Sequence, residues 1–253
     1  MQLHCLGTAG YHPNEDRHTS CYFLPESGIV LDAGTGLFRL AELIATPTLD
    51  ILLSHAHLDH VAGLTFLLDV LYRRPVDRLR IWGEKDKLAA IQRHLFSDLL
   101  FPVPIQAEYR EIDALPEFTI GDCTIRWRRQ QHPGMSVGYR LDWDDGTRLL
   151  YLTDTTGDDG VEAMEWNAGA DLLMHECYFP DASSEWATKT GHTWSSRLAR
   201  IAQGSAPKHL MLTHVNPIDA EPELMLREVS ETLRGRQTRV SLAADREVVE
   251  FGR

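Results

Sequence analysis

Apolar positions along the chain fall into short blocks and alternations that predict where strands and helices lie. Strand-like runs come at Gln2–Leu6, Cys21–Leu24, Ile29–Asp32 and Asp50–Ser54, each bounded by turn residues. Helical spacing follows over Leu37–Ile44 and Val61–Tyr72. A strand at Leu79–Trp82 and a helix from Lys85 to Phe96 come next, and "FPVP" breaks the pattern. The middle is strand-rich, with runs at Ile105–Glu111, Phe118–Ile120, Thr124–Arg129, Val137–Trp143 and Leu149–Thr153. The last third alternates again: strand Asp171–His175, helix Trp194–Ala202, strand His209–Thr213, helix Glu221–Leu233, and short strands near Val240 and Val248. Two β-rich blocks, each closing with helices, predict an α/β fold of two sheets packed face to face with helices outside. No repeat, low-complexity tract or Gly/Ser/Pro-rich linker interrupts the 253 residues, so one domain over 1–253 is expected.

Composition narrows the partners. A hydrophobic fraction of 43% suffices for a large core. No run of about 18 apolar residues exists, which excludes a membrane-spanning helix. "MQLHCLGTAG" lacks the basic start and apolar stretch of a signal peptide and reads as a strand entering a glycine loop, so the cytoplasm is expected. Cys5, Cys21, Cys123 and Cys177 are scattered without a C-x-x-C pair and read as buried reduced thiols. A net charge of −12 removes the usual nonspecific affinity for nucleic acid, so a bulk polyanion is a disfavoured partner. One local basic run, "RWRRQQH" at Arg126–His132, splits its charges between the faces of a strand and reads as solvated.

The chemistry begins at "LLSHAHLDHVAGL", Leu52–Leu64. His55 and His57 are two apart just beyond a strand, where extended backbone points both imidazoles the same way. Asp59 and His60 fall where the chain turns into the next helix. The pattern H-x-H-x-D-H has a chance expectation of roughly 0.002 in such a chain, which makes metal binding the better explanation. Zn²⁺ favours four ligands drawn from His, Asp, Glu and Cys, so these residues cannot saturate two ions by themselves. Candidate completing donors also sit at strand ends: His132 in "RWRRQQHPG", Asp154 in "LLYLTDTTG" and His214 in "HLMLTHVNP".

"SHAHLDHVAG", "QHPGMSVGY", "YLTDTTG", "MHECYF", "KTGHTWS" and "LTHVNP" together resemble the metallo-β-lactamase superfamily, and more narrowly its ribonuclease Z and phosphodiesterase branch. "LGTAGYHPNEDRHTS" and "VLDAG" extend the resemblance over nearly the whole chain. It implies an αββα sandwich with two divalent metal ions, usually Zn, with Mn or Fe as alternatives. Carried over by motif, His55, His57 and His132 hold the first ion, Asp59, His60 and His214 the second, and Asp154 bridges them. Asp32 orients a histidine ligand, as a carboxylate does when it fixes the tautomer. Two divalent ions about 3.5–4 Å apart lower the pKa of a shared water, so hydroxide is available near neutral pH. The resemblance makes Asp59, His192 and Glu176 catalytic, with His192, held by Glu176, donating a proton to the leaving alkoxide. It also implies dimers, which are common in the branch.

The sequence departs from tRNA-processing members of that branch. Their long basic arm has no room between His132 and Asp154, and "THVNP" lacks their Ser-x-Arg-Tyr continuation. With the acidic net charge, these departures favour small or cyclic nucleotide-like phosphodiesters as substrate. An RNA 3′-end nuclease and a lactone or thioester hydrolase on the same metals are the enzymatic alternatives; a metal-binding scaffold is the non-enzymatic one. Pro180–Thr190, "PDASSEWATKT", reads as a polar loop before His192: either a substrate cover with Trp186 as stacking surface or a plain exposed loop.

Overall fold

The apolar blocks of the sequence form central strands such as Cys21–Leu24, Leu172–Glu176 and His209–Thr213, buried at every position in the computed structural model, which describes residues 1–218 and 221–252. The strands are β1 (Gln2–Gly7), β2 (Cys21–Leu24), β3 (Ile29–Leu31), β4 (Thr48–Leu52), β5 (Arg78–Gly83), β6 (Glu108–Glu111) and β7 (Glu117–Ile120). They continue as β8 (Cys123–Gln130), β9 (Ser136–Trp143), β10 (Arg148–Leu152), β11 (Leu172–Glu176), β12 (His209–Thr213), β13 (Arg239–Leu242) and β14 (Val248–Glu250). The α-helices are α1 (Leu58–Val61), α2 (Leu67–Arg73), α3 (Lys85–Ala90), α4 (Val161–Asn167), α5 (Ser184–Thr190), α6 (Ser195–Ser205) and α7 (Glu223–Thr232). One seven-stranded sheet has the order β14-β1-β2-β3-β4-β5-β6, and the other β13-β12-β11-β10-β9-β8-β7.

The chain divides into two compact units, residues 1–121 with 244–250, and residues 122–243 with those from Phe251 onward. In the first, β3, β4, β5 and β6 are parallel, while β14, β1 and β2 add antiparallel pairings. Val30, Ile51 and Ile81 pack with Leu37, Leu64 and Leu67 from the helical segments. In the second, β10, β11, β12 and β13 are parallel, with β8 and β9 antiparallel beside them. There Leu150, Leu173 and Leu212 meet Leu198 of α6 and Met225 of α7. Each fully buried Leu or Ile contributes about 1.5–3 kcal/mol. In both units parallel strands run out toward one edge, the place where α/β sheets carry their functional loops.

Several expected elements differ in detail. Leu37–Ile44 lies mostly within a 3₁₀ helix, Thr35–Glu42; over two turns, apolar spacing does not distinguish i→i+3 from i→i+4 bonding. The expected helix Val61–Tyr72 is interrupted by 3₁₀ winding over Ala62–Phe66. Gly63 causes this, because its N–H donates to the Ala33 carbonyl at 2.8 Å instead of within a helix. A Cβ there would stand 2.1 Å from the Gly34 carbonyl oxygen. The strand expected from Ile105 begins only at Glu108.

Pro180–Thr190 is not a plain loop. It forms a 3₁₀ turn, Asp181–Ser183, followed by α5. The segment buries only Ala187, so no apolar stripe announces the helix. Its Thr188 and Thr190 hydroxyls donate back to the Ser184 and Trp186 carbonyls at 3.0 and 2.9 Å, and Gly191 ends it at φ +84°. "RWRRQQH" is not simply solvated either. Strand alternation puts Arg126 and Arg128 on one side, where Arg126 donates to Asp142 at 2.9 Å and Arg128 lies 4.6 Å over the Trp166 ring. The cysteines are reduced and buried, as expected.

Candidate metal centre

In the first unit the donors gather where β3 and β4 end. Asp32 follows β3 at φ +56°, a left-handed conformation that a non-glycine residue adopts only under constraint. Its fully buried carboxylate accepts from the Ser54 N–H, the Ser54 hydroxyl and His60 Nδ1, each at 2.7 Å. A carboxylate can only accept, so His60 carries its proton on Nδ1 and turns the Nε2 lone pair outward. Ser54 spends its hydroxyl proton on Asp32 and therefore accepts from His55 Nδ1, 3.0 Å away. That fixes His55 in the same tautomer. The His55 ring centre lies 4.4 Å from those of both His57 and His60. Asp59 Oδ2 accepts from the Tyr11 N–H at 2.8 Å and stands 3.2 Å from His60 Nε2.

The second unit repeats the device. Asp154 follows β10 at φ +51°, and His214 follows β12 at φ +54°. His132 lies just beyond β8 and donates from Nδ1 to the Gly191 carbonyl at 3.0 Å, so Nε2 again keeps its lone pair. Nε2 of His132 is 3.4 Å from Asp154 Oδ2, and Nε2 of His214 is 3.1 Å from Asp154 Oδ1. Each oxygen of Asp154 thus faces one imidazole. All three residues are buried.

Glu176, the last residue of β11, is also buried. Its carboxylate accepts from the Thr155 N–H at 2.5 Å and from His192 Nδ1 at 3.1 and 3.2 Å. Asp154, His192 and His214 offer ligand atoms within 4.8 Å of one another. Tyr178 stacks on His192 with ring centres 4.4 Å apart and planes 18° apart. Cys177 beside Glu176 is inert, because burial above all pushes its thiol up. Ser54, Tyr11, Thr155, Gly191 and Tyr178 are positioning groups that sequence reasoning did not single out. All five lie inside the quoted motifs, but Tyr11, Thr155 and Gly191 act through backbone atoms, which side-chain identity does not mark.

These donors fit a metal. With their protons on Nδ1, neutral His60 and His132 set an Nε2 lone pair against a carboxylate lone pair at 3.2 and 3.4 Å. Only a cation between them, either a second ring proton or a metal ion, makes the contact attractive. Both units bury this arrangement with the opposite ring nitrogen anchored, as outer partners anchor metal-ligating histidines.

A family model described as a β-lactamase superfamily domain matches residues 28–215. The ribonuclease Z of Methanopyrus kandleri is 29% identical, over 91% of this chain and 92% of its own. That of Streptomyces coelicolor is 28% identical, over 88% and 89%. The metallo-β-lactamase fold protein YhfI from Bacillus subtilis superposes with a TM-score of 0.79 at 23% identity, covering 99% of both chains. Human tRNase Z, short form, does so with a TM-score of 0.78 at 22% identity, covering 100% of both. The fold is the αββα metallo-β-lactamase fold that the sequence implied. By its matched residues, its relatives and its His and Asp donors, the chain belongs to the metallo-β-lactamase superfamily, in the ribonuclease Z-like branch, and is a metal-dependent hydrolase.

Proposed function

We propose that the protein is a dinuclear metal-dependent phosphodiesterase acting on small or cyclic nucleotide-like phosphodiesters. The observation that carries this is the buried Glu176 carboxylate on His192 Nδ1, next to the donors Asp154 and His214. Phosphodiester cleavage expels an alkoxide that needs a proton, which a histidine held by a carboxylate can supply, whereas thioester hydrolysis expels a thiolate that needs none.

By the family's motif, His55, His57 and His132 would hold one ion and Asp59, His60 and His214 the other, with Asp154 shared. The single family match spanning both units supports taking them as one catalytic domain. Two divalent ions, zinc by the chemistry of the donor set or else manganese or iron, supply an activated water and withdraw charge from the phosphoryl oxygens. The chain's own residues do the rest. Asp59, fixed by the Tyr11 N–H, orients the attacking water by accepting its hydrogen bond. His192 keeps Nδ1–H on Glu176, so a proton on Nε2 creates an imidazolium that the buried carboxylate stabilises. That Nε2 proton passes to the departing oxygen.

The relatives named ribonuclease Z favour a second reading, cleavage at RNA 3′ ends. Small substrates are preferred because the net charge is −12 and because β9 and β10 occupy the chain between His132 and Asp154. The test is turnover of bis(p-nitrophenyl) phosphate, 2′,3′-cyclic nucleotides, precursor tRNA, lactones and thioesters by the metal-loaded protein. Efficient tRNA cleavage at physiological salt promotes the second reading. Lactone or thioester turnover with no phosphodiester turnover discards both.

A further inference from the structure

The basic run Arg126–His132 plays no part in the chemistry above except through its last residue, yet it lines a cavity of about 290 Å³ in the second unit. Arg128, Arg129, Gln131, Thr156, Asp158 and Arg197 are among its walls. At about 30 Å³ per water the cavity has room for roughly nine waters, enough for a phosphate group. Three arginines and one carboxylate are among the lining residues, and with Arg197 already paired to Asp159 at 3.1 Å this leaves a formal excess of one positive charge on a chain of net charge −12.

Two of the cations, Arg128 and Arg197, are held in place before any ligand arrives. Arg128 lies over Trp166, and its burial holds the guanidinium below the ordinary arginine value while Asp158 pulls it back up; it stays charged at neutral pH. Arg197 donates from Nε to the Gly157 carbonyl at 2.9 Å and pairs with Asp159 at 3.1 Å. The Thr156 N–H donates to the Gln131 carbonyl at 3.1 Å, tying the loop after β10 to the end of β8. Gln131 precedes His132 and Thr155 follows Asp154, so the wall begins one Cα step of about 3.8 Å from two metal donors.

Asp158 decides which anion belongs here. As the resident counter-charge it competes with a singly charged diester, but a phosphomonoester carries about −1.5 to −2 at pH 7 and offers three oxygens to the arginine forks. We propose that the cavity is a subsite for a phosphomonoester group on the substrate, so that preferred substrates are phosphodiesters bearing a second, terminal phosphate. This rests on the phosphodiesterase function proposed for the neighbouring donors.

The test compares dinucleotides with and without a terminal phosphate at either end, using metal-loaded protein and its Arg128→Gln and Arg129→Gln variants. Arg129 is exposed, so its variant is expected to fold. The wild type should favour the phosphate-bearing partner by tenfold or more in kcat/KM at one end. Each variant should cut that preference below threefold, chiefly through KM. Equal kcat/KM for the pair in the wild type, or a preference that survives both substitutions, overturns the subsite. No turnover of any diester overturns the phosphodiesterase function instead. The subsite is then judged by calorimetric titration of inorganic phosphate into the full-length protein with chelator present: wild-type binding that both variants lose supports it, and no wild-type binding overturns it. Phosphate binding without discrimination between the dinucleotides marks a free-anion site and also overturns it.

Discussion

Replacing Asp32 by Asn probes how the first unit sets its histidines. The carboxylate accepts three hydrogen bonds at 2.7 Å while fully buried. The amide keeps one oxygen for the Ser54 N–H and puts an NH₂ where Oδ2 receives both the Ser54 hydroxyl and His60 Nδ1. Ser54 can rotate its proton away. His60 cannot, so it either faces donor against donor or moves its proton to Nε2, the nitrogen assigned to the metal. Charge-assisted hydrogen bonds are worth about 1.5–3 kcal/mol each, so the metal-free protein should lose about 2–4 kcal/mol. Removing a carboxylate behind a histidine ligand costs about 10–100-fold in metal affinity, or about 1.4–2.7 kcal/mol. Zinc competition against a chromophoric chelator reads the affinity of each ion, urea melts read the stability, and imidazole ¹⁵N shifts read the tautomer. An Asp32→Asn protein that binds two ions as tightly as the wild type, with His60 still protonated at Nδ1, refutes the reasoning.

His192→Ala should lower kcat about 10²–10⁴-fold on 2′,3′-cyclic nucleotides but less than about tenfold on bis(p-nitrophenyl) phosphate, whose leaving group departs unprotonated; equal losses on both would remove the proton-donor role. Burial first, and Arg239 second, lower the pKa of His209 to about 4, with its Nε2 2.7 Å from the Ser241 hydroxyl. Because the folded pKa lies below the unfolded value near 6.5, this stabilisation is complete above pH 6.5 and is lost as pH falls toward 4. It amounts to about 2 kcal/mol once solvent screening of an incompletely enclosed ring is allowed for. Urea midpoints at pH 7 and 4.5 should show a smaller acid-induced drop in His209→Gln than in the wild type. Ala206, which ends α6 at φ +46°, pays the left-handed penalty of a non-glycine residue; thermal melts of Ala206→Gly should show a gain of about 0.5–1 kcal/mol.

What the sequence determined by itself was the position of strands and of donors. Cys21–Leu24 and His209–Thr213 read directly as strands, because a buried strand needs little more than a short apolar block between turns. His55, His57, Asp59, His60, His132, Asp154 and His214 stood out because metal chemistry tolerates few side-chain types, whereas Glu176 and His192 were marked only by the family resemblance. Winding and protonation were decided elsewhere. Gly63 breaks its helix only because Ala33 offers a carbonyl from 30 residues away in the chain. α5 buries only Ala187 and is closed by Gly191 in the left-handed region, so no apolar stripe marks it. The tautomers of His55, His60 and His132 depend on Ser54, Asp32 and the Gly191 carbonyl. A ring nitrogen's proton follows whichever acceptor the fold brings to it, and local sequence carries no record of that acceptor when it comes from a distant strand or turn.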